Sequence, residues 1–194
     1  MKDNIQGNIL QKTEIIYLRN VTEVRYIMSK QKIKYSNDIG GKDVKRSHIM
    51  CKAAEVGKIV VNKCLDKDVF INTKKLQKLL VLMQVECIKR SGKALFKEDI
   101  VIWSCGVAIK EVNSEFSTEI VRFTQPQTEY IPLLRKEEES IDFVIDKYGE
   151  MSASDINQLS IVKELSSLSK KSCTGVPHIT TTALLEKYSK DENS

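Results

Sequence analysis

Two histidines, three prolines and a single tryptophan in 194 residues narrow the chemistry before any motif is sought. With only His48 and His178, the chain has little from which to build the nucleophile–base pair that a Ser or Cys enzyme needs. Five cysteines (Cys51, Cys64, Cys87, Cys105, Cys173) form an odd set without a C-x-x-C pair. That argues against a disulfide framework and fits a reducing compartment. His48 and Cys51, with Cys173 and His178, can be drawn as four ligands. They lack the tight pairs of a structural zinc site, so no metal is expected. No apolar run approaches the ~20 residues that span a bilayer. The N-terminus, MKDNIQGNILQK, lacks the apolar segment of a signal peptide, and a cytoplasmic protein is expected.

The remaining catalytic arrangements also fail. Gly40-Gly41-Lys42 lacks the first glycine of a P-loop, and Asp43 stands where that loop needs Ser or Thr. Cys105-Gly106 precedes an expected helix start, a setting that can activate a thiol. No histidine lies near it in sequence, and Trp103 and Val107 point to a core cysteine. Glu137–Glu139 reads as a solvated charge run. Neither enzyme activity nor a cofactor is expected.

What is present is an ordinary globular composition, 41% hydrophobic and 29% charged, with enough length to bury a core. The formal charge is unevenly placed. Residues 1–50 hold 10 Lys+Arg and 5 Asp+Glu, and residues 51–194 hold 21 of each, so the whole +5 sits in the first quarter. A basic arm can attract nucleic acid or an acidic protein surface. These lysines are interspersed with acids, however, and a solvated lysine-rich face is the simpler reading.

Residues 8–35 are rich in Ile, Val, Thr and Tyr with near-alternation, as in Gln31-Lys32-Ile33-Lys34-Tyr35. That pattern predicts strands, with a helix through Ile15–Ile27 as the competing assignment. Gly40-Gly41 then marks a boundary between an extension, 1–45, and a body, 46–190. In the body the period changes. Ala53, Val56, Val60 and Cys64 share a helical face within Ser47–Leu65. Thr73 or Asn72 caps a second helix with Leu76, Leu79, Leu80, Met83 and Cys87 as its stripe, and Gly92 ends it. Ile100–Trp103 suits a short strand, and Val107–Phe116 a short helix. A long connection, 117–139, carries Pro126 and Pro132 and suits a hairpin or a contact loop. Helices follow at Ile141–Tyr148, after a Ser152 or Ser154 cap through Leu168, and at Thr180–Tyr188. The fold class is therefore mainly α: a compact helical domain with a small β element, preceded by a β-rich or mixed extension.

Several of these pieces resemble one family. Leu76-Gln77-Lys78-Leu79-Leu80 with Met83-Gln84, Ser91-Gly92-Lys93-Ala94-Leu95-Phe96, and Trp103-Ser104-Cys105-Gly106 through Val112 follow one another at separations similar to those of the Panacea domain. That antitoxin family includes SocA-like and phage-associated GepA-like proteins. Tyr148-Gly149-Glu150-Met151-Ser152-Ala153 and Val176-Pro177 with Leu184–Tyr188 extend the resemblance over about residues 52–188. The chain departs from the pattern at Val107, where the family usually has Pro, at Val81-Leu82, and in lacking a Pro-Trp element near Leu165–Ser172.

The resemblance implies a binding protein whose partner is a cognate protein toxin. It also allows an adaptor that delivers the toxin to a protease complex, or a phage or mobile-element protein acting on a host factor. Nucleic acid is the alternative partner suggested by the basic arm. Leu76, Leu79, Leu80 and Met83 are expected in the core. The partner-binding candidates are Lys32, Lys34 and Tyr35 in the extension, together with Gln77, Lys78 and Trp103. Gln77 and Lys78 are expected either to be exposed or to tie their helix to the Trp103 loop.

Overall fold

The computed structural model describes residues 50–117, 123–127, 131–171 and 175–189. The extension, with Lys32, Lys34 and Tyr35, lies outside the described residues, as do His48 and Cys173. Helix α1 is Ala53–Asp66. It begins later than the expected Ser47 because Cys51 is drawn into a parallel bridge with Phe96, keeping the preceding backbone extended. Two carboxylates then satisfy free N–H groups at its start. Glu55 accepts from Lys52 N at 2.9 Å, and Glu98 accepts from Ala53 N at 2.8 Å.

Helix α2, Thr73–Ser91, is the axis of the body. Asn72 caps it, accepting from Lys75 N at 2.9 Å. Gly92 ends it at φ 66, a left-handed conformation that other residues adopt at a cost. The expected stripe is buried, but so are Val81, Leu82, Gln84, Val85 and Ile88. The helix is enclosed on all sides instead of being amphipathic. Its mean hydropathy conceals this, because Lys75, Gln77, Lys78 and Gln84 count as surface residues yet are each 4% exposed or less.

The small β element is larger than expected. β1, Ile100–Trp103, turns through Ser104-Cys105 into β2, Gly106–Ala108. The helix expected from Val107 therefore begins only at α3, Lys110–Glu115. Gly106, at φ 100, makes the return possible. Downstream, α4 is Arg135–Tyr148, starting six residues before the expected Ile141. Glu137 explains the difference: it is 5% exposed and accepts from Leu134 N at 2.7 Å, closing the first turn. The charge run read as solvated thus has one buried member with a capping role.

The Ser-capped segment forms two helices, α5 (Ala153–Gln158) and α6 (Ser160–Ser167), because Leu159 between them is extended at ψ 140. Ser152 is the cap, accepting from Asp155 N at 3.1 Å. β3 (Lys170–Lys171) and β4 (Pro177–Ile179) complete an antiparallel sheet of order β2-β1-β4-β3. His178 belongs to β4. The final helix, α7, is Thr181–Tyr188, capped by Thr180. The described part of the long connection is a contact loop. Phe123 is buried edge-on against Phe116, and Gln127 exchanges hydrogen bonds of 2.9 and 2.7 Å with Asn62.

Around α2 pack α1, α3, α4, α5, α7 and β2. The described body is mainly helical, with one small sheet. None of its described helices is long and apolar enough to cross a membrane.

Candidate interaction site: the hairpin held by the central helix

Four polar side chains of α2 are buried, and nearly all their hydrogen bonds go to the backbone of other segments. Gln84 donates to Phe96 O at 2.9 Å and accepts from Leu95 N at 2.8 Å and Phe96 N at 3.1 Å. Gln77 accepts from Ile109 N at 3.3 Å and donates to Asn113 Oδ1 at 3.2 Å. Lys78 donates to Cys105 O at 3.2 Å and Val107 O at 3.4 Å. Lys75 donates to Phe70 O at 2.8 Å and to Gly149 O, a carbonyl at the C-terminal end of α4. Lysine suits that last position, since a cation offsets the partial negative charge of a helix C-terminus. Among the described residues neither lysine forms an ion pair. Burial lowers the pKa of both, because desolvation disfavours an ammonium.

Gln77 and Lys78 therefore sit inside the body and tie α2 to the hairpin that carries Trp103. Their polar atoms are committed there and do not form a docking surface. Trp103 itself is half-buried, opposite Gly106 in the β1–β2 register.

Cys105 is exposed at the turn, which corrects its expected place in the core. A two-residue turn projects its side chains outward whatever the polarity of their neighbours. Cys64 and Cys87 are buried as expected, and burial pushes each thiol up to about 11, so both stay protonated near neutral pH. Among the described residues no three His, Cys, Asp or Glu side chains gather as metal ligands.

Asn157 of α5 supports the hairpin from the other side, donating to Cys105 O at 2.9 Å. Between the turn and the α5–α6 pair lies an open recess of about 270 Å³, lined by Cys105, Gly106, Asn157, Val162 and Lys163 among others. A methyl on Gly106 would lie 2.7 Å from Asn157 Cγ and closer still to its Oδ1. Gly106→Ala is thus expected to cost about 2–3 kcal/mol, combining strain at positive φ with displacement of the amide. Urea denaturation of Gly106→Ala and of Gly106→Ala/Asn157→Ala checks this. The second change should recover part of the steric loss and none of the φ strain.

Residues 76–165 match the family model described as Antitoxin SocA-like, Panacea domain. This segment is similar to the Panacea domain. No curated protein and no solved structure matches the chain. The match runs from α2 into α6, so the Panacea segment contains Gln77, Lys78 and Gln84 together with the three backbone stretches they hold. Sequence reading found those pieces as separate motifs, offered the Gln77 and Lys78 ties as one of two alternatives, and missed the bonds of Gln84. The signal was the placement of Gln and Lys between leucines, where a stripe calculation scores them as surface.

Proposed function

We propose that this protein is an antitoxin that neutralises a cognate protein toxin by direct binding in the cytoplasm, without catalysing a reaction. The Panacea match over residues 76–165 carries the reading. The commitment of the buried polar side chains of α2 to backbone groups supports it, since they are structural ties and not reactive groups. We assign specificity to the extension, residues 1–45 with Lys32, Lys34 and Tyr35. It lies outside the matched segment and contains most of the chain's excess of positive charge.

The test is co-expression with the protein encoded by the adjacent gene, scored as growth. The full chain should restore growth. A chain beginning at residue 46 should keep a helical far-UV spectrum and fail to protect. Protection by the shortened chain would move recognition wholly onto the body, and no protection by the full chain would overturn the antitoxin reading. Recovery of a protease complex together with the toxin would add the adaptor role. The +5 balance of residues 1–50 favours nucleic acid as a second reading. It requires DNA affinity that falls steeply with salt, and absence of micromolar binding at low salt ends it.

A further inference from the structure

Between the Phe96 bridge and the start of β1, Lys97-Glu98-Asp99 form neither helix nor strand. No ladder fixes these residues, so their position depends on what each one holds. The two neighbouring carboxylates reach different helices. Glu98 accepts from Ala53 N of α1 at 2.8 Å. Asp99 accepts from Thr181 N of α7 at 3.2 Å, and Lys97 O accepts from Thr181 Oγ1 at 3.4 Å. Each carboxylate thus satisfies a first-turn N–H of a helix from a distant part of the chain.

The ends of the segment are anchored as well. Phe96 is bridged to Cys51 and held by Gln84. Ile100 lies opposite Ile179, just before α7. Cys51 and Lys52 are where the chain coming from the extension joins the body. One short loop therefore holds both the entry of the chain into α1 and the start of the final helix.

We propose that Lys97–Asp99 is a conformational clasp that makes these two helix starts open and close together. Loosening the start of α1 frees Glu98, and a displaced Glu98 draws the adjacent Asp99 from its place at Thr181. The same steps run in reverse from α7. A partner that engages the extension and pulls on Met50–Lys52 therefore acts on the C-terminal helix too, without disturbing the buried α2. The coupling is a property of the body and stands independently of the antitoxin reading.

Hydrogen exchange of the full chain, followed by mass spectrometry, tests this because it reads local opening segment by segment. Glu98→Ala should speed exchange about 5-fold at Ala53–Gly57, the effect of a missing cap. It should also speed exchange about 3-fold at Thr181–Leu184, to which Glu98 makes no hydrogen bond among the described residues. Asp99→Ala should give the reciprocal pattern, since coupling between two sites acts equally in both directions. The middle of α4, Ile141–Ile145, should exchange as in the wild type in both variants. Glu98→Gln keeps an oxygen for Ala53 N and should bring both helix starts within about 2-fold of the wild type. Acceleration confined to the helix that each carboxylate caps would overturn the clasp, leaving two independent caps. Uniform acceleration that includes α4 would overturn it too, as a general loss of stability. So would exchange in Glu98→Gln as fast as in Glu98→Ala, since the acceptor oxygen would then hold nothing.

Discussion

Gln84→Leu is expected to destabilise the protein by about 3–5 kcal/mol, although leucine is apolar, similar in size and a better core residue by composition. Gln84 is fully buried and its amide satisfies three backbone groups: the N–H of Leu95 and both the N–H and carbonyl of Phe96. Each buried group left without a partner costs about 1–3 kcal/mol. Added apolar contact and local relaxation offset only part of that sum. The segment affected is critical, because Leu95 and Phe96 are themselves fully buried and Phe96 bridges to Cys51. Urea denaturation should show a lower midpoint with an unchanged slope, as for lost stability without a change in compactness. A loss under about 1 kcal/mol would mean that the loop finds other partners and that Gln84 is not its clamp.

The same residue shows how much of this fold the sequence disclosed. Helix existence followed from periodicity, and caps at Asn72 and Ser152, each one of two candidates, followed from side-chain chemistry. Those signals are local, and they located the elements well. The errors arose where tertiary contacts set the outcome. Glu137 extended α4 backwards by closing its first turn, and Leu159 split one apolar face into two helices. β3 and β4 are two and three residues long, too short for alternation to register.

The candidate site was legible only as a set of names. Sequence marked Gln77, Lys78 and Trp103, but whether a glutamine among leucines is exposed or clamps a buried loop depends on backbone far along the chain. Cys105 failed for a similar reason. Apolar neighbours suggested burial, while the positive φ of Gly106 made the position a turn. The extension, with Lys32, Lys34 and Tyr35, lies outside the described residues, and its role rests on composition alone.

Lys78 offers the second large effect, and it separates charge from shape. Lys78 is 4% exposed and its ammonium faces two carbonyl oxygens, those of Cys105 and Val107. Lys78→Glu places a carboxylate against the same oxygens with no compensating cation. Its cost is expected to be about 4 kcal/mol, in the range found when a buried charge loses its partner. Lys78→Met keeps much of the stem's packing and removes the buried charge. It should cost only about 1–2 kcal/mol, because Asn157 still serves Cys105 O and only Val107 O is orphaned.

The pH dependence expected of Lys78→Glu is opposite in sign to the contribution of Lys78 in the wild type, and Lys78→Met removes that contribution. The carboxyl introduced by Lys78→Glu has its pKa raised in the folded state, so the native form holds a proton that the unfolded form has lost. Its penalty is therefore relieved as pH falls towards the ordinary carboxylate range, and Tm relative to wild type should rise on acidification. In the wild type, burial lowers the pKa of Lys78, so the unfolded chain binds the extra proton between that lowered value and the ordinary lysine value of 10.5. Stability should gain as pH rises through that window, and Lys78→Met should lose the part of the gain that Lys78 supplies. Equal losses in Lys78→Met and Lys78→Glu, with no acid recovery in the latter, would show that shape and not charge is what the hairpin requires at this position.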